Sequence, residues 1–322
     1  MNCKTILRIF VLLSVALTVP FNVYANHGPG TTGSGSSTES GQTLKKDQFI
    51  FSIDNTYTDF ESLSLEQAEQ RALESEEFDA LSDAFLTRLN FGFGVSDDFQ
   101  IDANIGWYSG RGFIDVHAEE GEEVESAFAD PEGLTDLLIR GKYRVIKGQP
   151  GDLSLIAGVS FPLGDDNERL SDGDRLEPSS QPGSGTYAVQ GGLAYSKFLT
   201  PRVALSASSV FTYRFEDDDF QIGERVDTGV ALAYQLSDSP TSYPVFSLFT
   251  EANYQYIGRD EEDDQSNTNS GGNTLFLTPG VRVAFNENMG FSLAPSFPVA
   301  QNQNGDQLES DFRVVSQFFF RS

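Results

Sequence analysis

LTDLLIRGKYRVIK, residues 134–147, decides how this chain is read. Successive side chains of an extended strand point to opposite faces. Leu137, Ile139, Gly141, Tyr143 and Val145 therefore share one side, and Leu138, Arg140, Lys142, Arg144 and Ile146 the other. One face is apolar and the other strongly basic. A half-buried soluble strand has this pattern when its cations lie in water. A membrane-barrel strand has it when the apolar face meets lipid and the cations face a wet lumen.

The surroundings separate the two. Eleven further alternating segments occupy residues 49–57, 85–95, 99–109, 153–163, 187–198, 202–215, 226–236, 245–258, 274–285, 289–299 and 312–320. Most are close to the length a tilted strand needs to cross a bilayer. Their connections alternate. Ser96-Asp97-Asp98, Gly148-Gln149-Pro150-Gly151, Leu199-Thr200-Pro201 and Asn286-Glu287-Asn288 are tight, and 237–243 is modest. The intervening links 58–84, 110–133, 164–185, 259–272 and 301–310 are long; only the one around 216–222 is short. Short turns on one side and long loops on the other are expected of a meander crossing the outer membrane, and a soluble sandwich gives no reason for that parity. The expected fold is all-β: an antiparallel up-and-down transmembrane β-barrel of about 12 strands. Pro279 and Pro295 fall inside their segments and remove ladder donors, which predicts a bulge or strands that begin later.

The ends fit this plan. Lys4, Arg8 and the apolar run 9–19 form a signal for secretion, too short to span a membrane. The expected organisation is a signal peptide over 1–25, a flexible Gly/Ser-rich segment over 26–47, and the barrel over 48–322. Sec-type export would deliver the chain to the bacterial outer membrane as a monomer, with lipid, lipopolysaccharide and the barrel-assembly machinery as partners. The single cysteine, Cys3, lies in the signal, so the mature chain has no disulfide, thiolate metal site or cysteine nucleophile. A net charge of −27 disfavours nucleic acid.

Most of that charge sits in the long links, as in residues 115–132 and the DEEDD run at 260–264. These lack the ordered ligand spacing of a dedicated cation loop, and neither a metal nor a cofactor is expected. Link 58–84 predicts a short helix with Ser64 as cap and Gln67 completing a capping box. The two histidines are His27 and His117. Asp115 and His117 could serve a surface hydrolase, but a solvated loop histidine is the simpler reading, and no enzyme is expected.

The face opposite the apolar one is consistently small, polar or charged, as a hydrated interior requires. Arg88, Arg140, Lys142 and Arg144 come from the second and fourth segments, with Asp102 on the third between them. Glu251 and Arg282 face inward on neighbouring segments, and Arg313 on the last would adjoin Asp54 on the first when the barrel closes. Two readings stay open: these charges line the constriction of a channel, or they pair across strands and brace a non-conducting barrel with a surface role.

SQPGSGTYAVQGGLAYSK (residues 180–197), NTLFLTPGVRVAF (273–285), the closing FRVVSQFFF, and GLTDLLIRGKYRV (133–145) with its Gly-x-x-Asp-Leu and Lys-Tyr-Arg spacing carry a resemblance. The chain resembles, from about residue 85 onward, an outer-membrane transporter family named after the meta-pathway of phenol degradation. That resemblance implies a barrel passing small molecules, aromatic or hydrophobic compounds among them.

Overall fold

In the computed structural model, residues 35–75, 77–118, 124–217, 219–237 and 242–322 are described. The expected signal peptide and residues 26–34 lie outside them. Twelve long strands form the body: β1 (Phe49–Phe60), β2 (Asp83–Ser96), β3 (Phe99–Arg111), β4 (Leu137–Ile146), β5 (Asp152–Phe161), β6 (Ala188–Thr200), β7 (Val203–Arg214), β8 (Arg225–Gln235), β9 (Val245–Ile257), β10 (Gly272–Ala284), β11 (Met289–Gln303) and β12 (Ser310–Arg321). Each pairs antiparallel with its neighbours in sequence, and β1 pairs with β12, so the sheet closes without an edge. Closure gives every strand a partner on both sides, the requirement for a sheet in lipid.

The period-two pattern becomes an outside and an inside. Phe91, Tyr143, Leu193, Phe246 and Val281 are exposed on the outer wall. Ser154, Ser206, Ala231 and Ser292 are buried inside. On β4 the split is the expected one: Ile139, Tyr143 and Val145 are exposed, while Lys142 is buried. An apolar outer band around a polar interior is a membrane-spanning solution. Among the described residues no helix is long and apolar enough to cross a membrane; strands do the crossing.

The two prolines disturb one seam only. Pairing of β10 with β11 runs to Leu277↔Phe297 and resumes at Val281↔Leu293, which sets Pro279 and Pro295 opposite each other. Pro279 keeps its rung with Thr250 on β9, and Pro295 keeps its rung with Val314 on β12. The missing N–H groups therefore point at one another, and the outer sides of both strands stay paired. The strands do not begin later than expected. A bulge exists, but at Leu275/Phe276, away from the prolines.

The register also corrects one expected neighbour. Asp54 faces Gln317 on β12, and Arg313 faces Thr58. Arg313 thus sits two inward positions above Asp54.

Long links build a cap on the extracellular side. Helix α1 (Leu65–Ser75) begins with the expected capping box: the Ser64 amide donates to Gln67 Oε1 at 2.9 Å and the Gln67 amide to Ser64 Oγ at 3.4 Å. Its Ala68 and Ala72 pack against Phe78 and Val116 of a small antiparallel sheet, Glu77–Ala80, Phe113–His117 and Glu125–Ala129. Leu170 and Leu176, from the link after β5, pack with Phe113 and Ala127 of that sheet.

Candidate functional site

Residues 35–47 run across the barrel interior, and the contacts follow the strands in turn. At one end Arg282 of β10 donates to the Gly35 carbonyl at 3.2 Å. Glu251 of β9, buried, then accepts from three successive amides, Ser36 and Ser37 and Thr38, each at 3.1 Å. The Thr38 hydroxyl adds a bond of 2.9 Å, and the Ser36 hydroxyl donates to the same carboxylate. Successive amides converging on one anion make a nest, and hydrogen bonds to a charged acceptor are the stronger kind.

Further along, the Glu39 amide donates to Ser208 on β7 at 3.0 Å. Its carboxylate meets β4: Arg140 Nη1 at 2.7 Å and Lys142 Nζ at 3.7 Å. Burial alone would raise this carboxyl's pKa, but Arg140 and Lys142 outweigh it and hold it at about 2. Gly41 passes over β5 and β6, its carbonyl accepting from Ser154 Oγ at 2.6 Å. The Leu44 amide donates to Gln100 on β3 at 2.8 Å, and the Asp47 amide to the Gly94 carbonyl on β2 at 2.8 Å.

The small residues on the lower inner wall now have a physical reason. Gly41 lies so close to the wall that a β-carbon there would sit 2.8 Å from the Ser196 nitrogen and 2.9 Å from the Ala194 oxygen, and nearer still to the Asp152 carbonyl. Ser154, Ser196 and Ser206 leave the room the crossing segment takes.

Above the crossing lies a cavity of about 720 Å³ between the segment and the extracellular cap. Arg88, Asp102, Arg140, Lys142 and Arg313 line it. The other residues singled out from sequence lie elsewhere. Arg144 is at the periplasmic rim, 3.0 Å from Asp98 and 3.4 Å from Asp152. Glu251 and Arg282 both hold the crossing segment. Asp102 stands opposite Arg140 in register, but its carboxylate takes its hydrogen bonds from Gln100 at 2.9 and 3.0 Å. The basic face of β4 is thus matched chiefly by Glu39. Sequence reasoning missed Glu39, Gly41 and the Ser36–Thr38 run. Their signal was GSSTESGQT, small and polar throughout with one acid, a complement to a buried basic strand.

In the cap, His117 Nε2 lies 2.9 Å from Asp115 Oδ1, and Glu77 brings a third ligand-type atom within 4.8 Å of both. This is the group of metal-ligating character among the described residues. The polar partner of His117 there is a carboxylate, not a hydroxyl.

A closed twelve-stranded antiparallel barrel, apolar outside and polar within, defines a membrane β-barrel of the outer-membrane type. The chain belongs to the family described as the MetA-pathway of phenol degradation, which matches residues 111–302. It superimposes on the COG4313 outer membrane channel from Pseudomonas putida F1 with a TM-score of 0.61 and 12% identity, over 87% of this chain and 97% of that one. The P. putida toluene transporter TodX fits less well, at a TM-score of 0.41 and 11% identity over 87% of this chain and 91% of that one. No curated protein matches the sequence.

Proposed function

We propose that this chain is an outer-membrane channel for small molecules in which residues 35–44 act as a displaceable gate. The observation that carries the reading is the chemistry of that segment. Residues 35–43 contain no apolar side chain, and the first is Leu44. The gate is held by hydrogen bonds and one ion-pair group against a wet wall, not by a hydrophobic core. A hydrogen bond exchanged for water changes stability by only about 0.5–1.5 kcal/mol, so such a segment can leave and return.

Leu86, Leu138, Val210, Phe276 and Val315 line the cavity above the gate, unusual for a barrel lumen, and support passage of molecules with an apolar body. The family's association with phenol breakdown makes small aromatic compounds the class to test. In this reading Arg88, Asp102, Arg140, Lys142 and Arg313 line the path, while Arg144, Glu251 and Arg282 anchor its walls and gate. The chain would work as a monomer, placed in the outer membrane after removal of residues 1–25.

A second reading, a sealed barrel with a surface role, is favoured by the many bonds that fasten the segment. Planar-bilayer recordings and uptake of benzyl alcohol into proteoliposomes separate the two. Resolved openings and uptake support the channel; silence in both, with residues 35–44 deleted as well as present, sinks it.

A further inference from the structure

We infer that the upper lumen holds a binding site for a small organic carboxylate with an apolar body, its charge met by Arg88 and Arg313. The inference rests on the channel reading above and names the class of solute.

The first argument is charge. The chain carries −27 overall, yet seven Lys or Arg side chains line the cavity against five Asp or Glu. Several of these cations are matched: Arg140 and Lys142 by Glu39, and Arg225 by Asp227 through bonds of 2.7 and 2.9 Å. Arg88 and Arg313 make no hydrogen bond or ion pair with any described residue. Asp54 stands directly across from Arg88 and offsets part of its charge without bonding to it; its carboxylate accepts from Asn90 Nδ2 at 2.8 Å. The Arg313 guanidinium carbon lies over the Phe276 ring, 4.1 Å from its centroid, and its Nε is buried without a hydrogen-bond partner. A buried positive field of this kind calls for an anion.

The second argument is placement. Thr56 of β1 is flanked in register by Leu86 on β2 and Val315 on β12, so one inward rung carries two apolar side chains. Arg88 is the next inward residue below Leu86, and Arg313 the next above Val315. An apolar patch therefore lies between two arginines, beside Phe276. A lumen that only conducted water and ions would want neither feature. A carboxylate paired with a guanidinium makes a charge-assisted, bidentate contact, and the patch receives the rest of the molecule. A volume of about 720 Å³ accommodates such a ligand.

The test uses the full chain in lipid nanodiscs and three probes by titration calorimetry: benzoate, benzyl alcohol and acetate. Benzoate should bind at least roughly tenfold more tightly than either the neutral or the non-aromatic probe. R88Q/R313Q should weaken benzoate roughly ten- to hundredfold and leave benzyl alcohol unmoved. Equal binding of benzoate and benzyl alcohol by the unaltered chain overturns the inference, whether or not the variant folds. So does a folded variant that keeps its benzoate affinity. Uptake into proteoliposomes keeps the two readings apart. Benzoate that enters without a saturable, arginine-dependent site defeats the site alone; benzoate that binds but never enters defeats the channel alone.

Discussion

Glu39, on the segment crossing the lumen, lies 2.7 Å from Arg140 and 3.7 Å from Lys142 on β4. This one carboxylate faces the most basic strand face in the chain and fastens the crossing segment to it. Removing one partner of a buried ion pair strands the other charge. Glu39→Gln should therefore loosen the segment by roughly 1–3 kcal/mol, about a fivefold to hundredfold rise in open probability. Exposed Arg140 and Lys142 should also move the reversal potential in a potassium chloride gradient towards chloride. An unchanged potential with an unchanged open probability would refute the latch. The sign with pH follows from a carboxyl held at about 2, below its free value of 4.5. Its contribution is complete above the free value and fades only as pH falls through about 2. Any change in gating between pH 5 and 8 should therefore come from groups other than Glu39, whose charge is constant there.

Gly41 tests the same gate by sterics instead of charge. A β-carbon there would overlap the backbone of β5 and β6, which cannot yield without breaking the barrel ladder. Gly41→Val should expel the middle of the segment while leaving the barrel folded. Residues 26–322 contain no cysteine, so in a chain that begins at residue 26 a single cysteine placed at Thr43 reports accessibility cleanly. Its labelling from the periplasmic side should accelerate at least several-fold in the valine variant. Equal labelling rates would place the segment elsewhere.

The barrel was legible because membrane strands obey a strong local rule. Period-two alternation and the parity of link lengths in twelve segments leave one closed architecture. Facing was legible for the same reason: Arg88, Asp102, Arg140, Lys142 and Arg313 all point inward. Partners were not. Pairing depends on register, and a shift of a few rungs replaces Asp54 with Thr58 opposite Arg313. The path of the crossing segment was hidden for a different reason. A Gly/Ser-rich stretch has no hydrophobic pattern to read, and its order comes wholly from walls that are distant in sequence, as in Ser36 against Glu251.

The cap should tighten as the medium becomes acidic. Burial, then repulsion from Glu77 and Asp260, pushes the Glu177 carboxyl up to about 7. Burial together with neighbouring acids raises Asp79 as well. For an acid whose folded value lies above its unfolded one, the relative stabilisation is fully present below the unfolded value, near 4.5, and is lost as pH rises through about 7. Amides of the sheet strands Phe113–His117 and Glu125–Ala129 should exchange more slowly at pH 5 than at pH 8, after correction for intrinsic rates, by roughly ten- to a hundredfold. Glu177→Gln should flatten the part of that step centred near pH 7. Cap amides with the same corrected protection at both pH values would show that repulsion among these acids is relieved in some other way.

Pro279 and Pro295 face one another across β10 and β11, so this seam lacks two N–H donors at membrane depth while its carbonyls remain. Carbonyls without donors are costly in lipid. The same pairing confines the loss, because Thr250 and Val314 keep their rungs on the outer sides. Both side chains point outward, so valine at either position meets lipid and leaves the lumen untouched. Pro279→Val alone restores one donor, and the double replacement restores two, each worth about 0.5–1.5 kcal/mol. The urea midpoint of the barrel refolded in vesicles should rise with the first replacement and again with the second. Amides flanking the seam, Thr278 and Ser296 among them, should gain protection in the same order. A midpoint and protection pattern indifferent to both replacements would mean that the two strands already compensate for the missing donors.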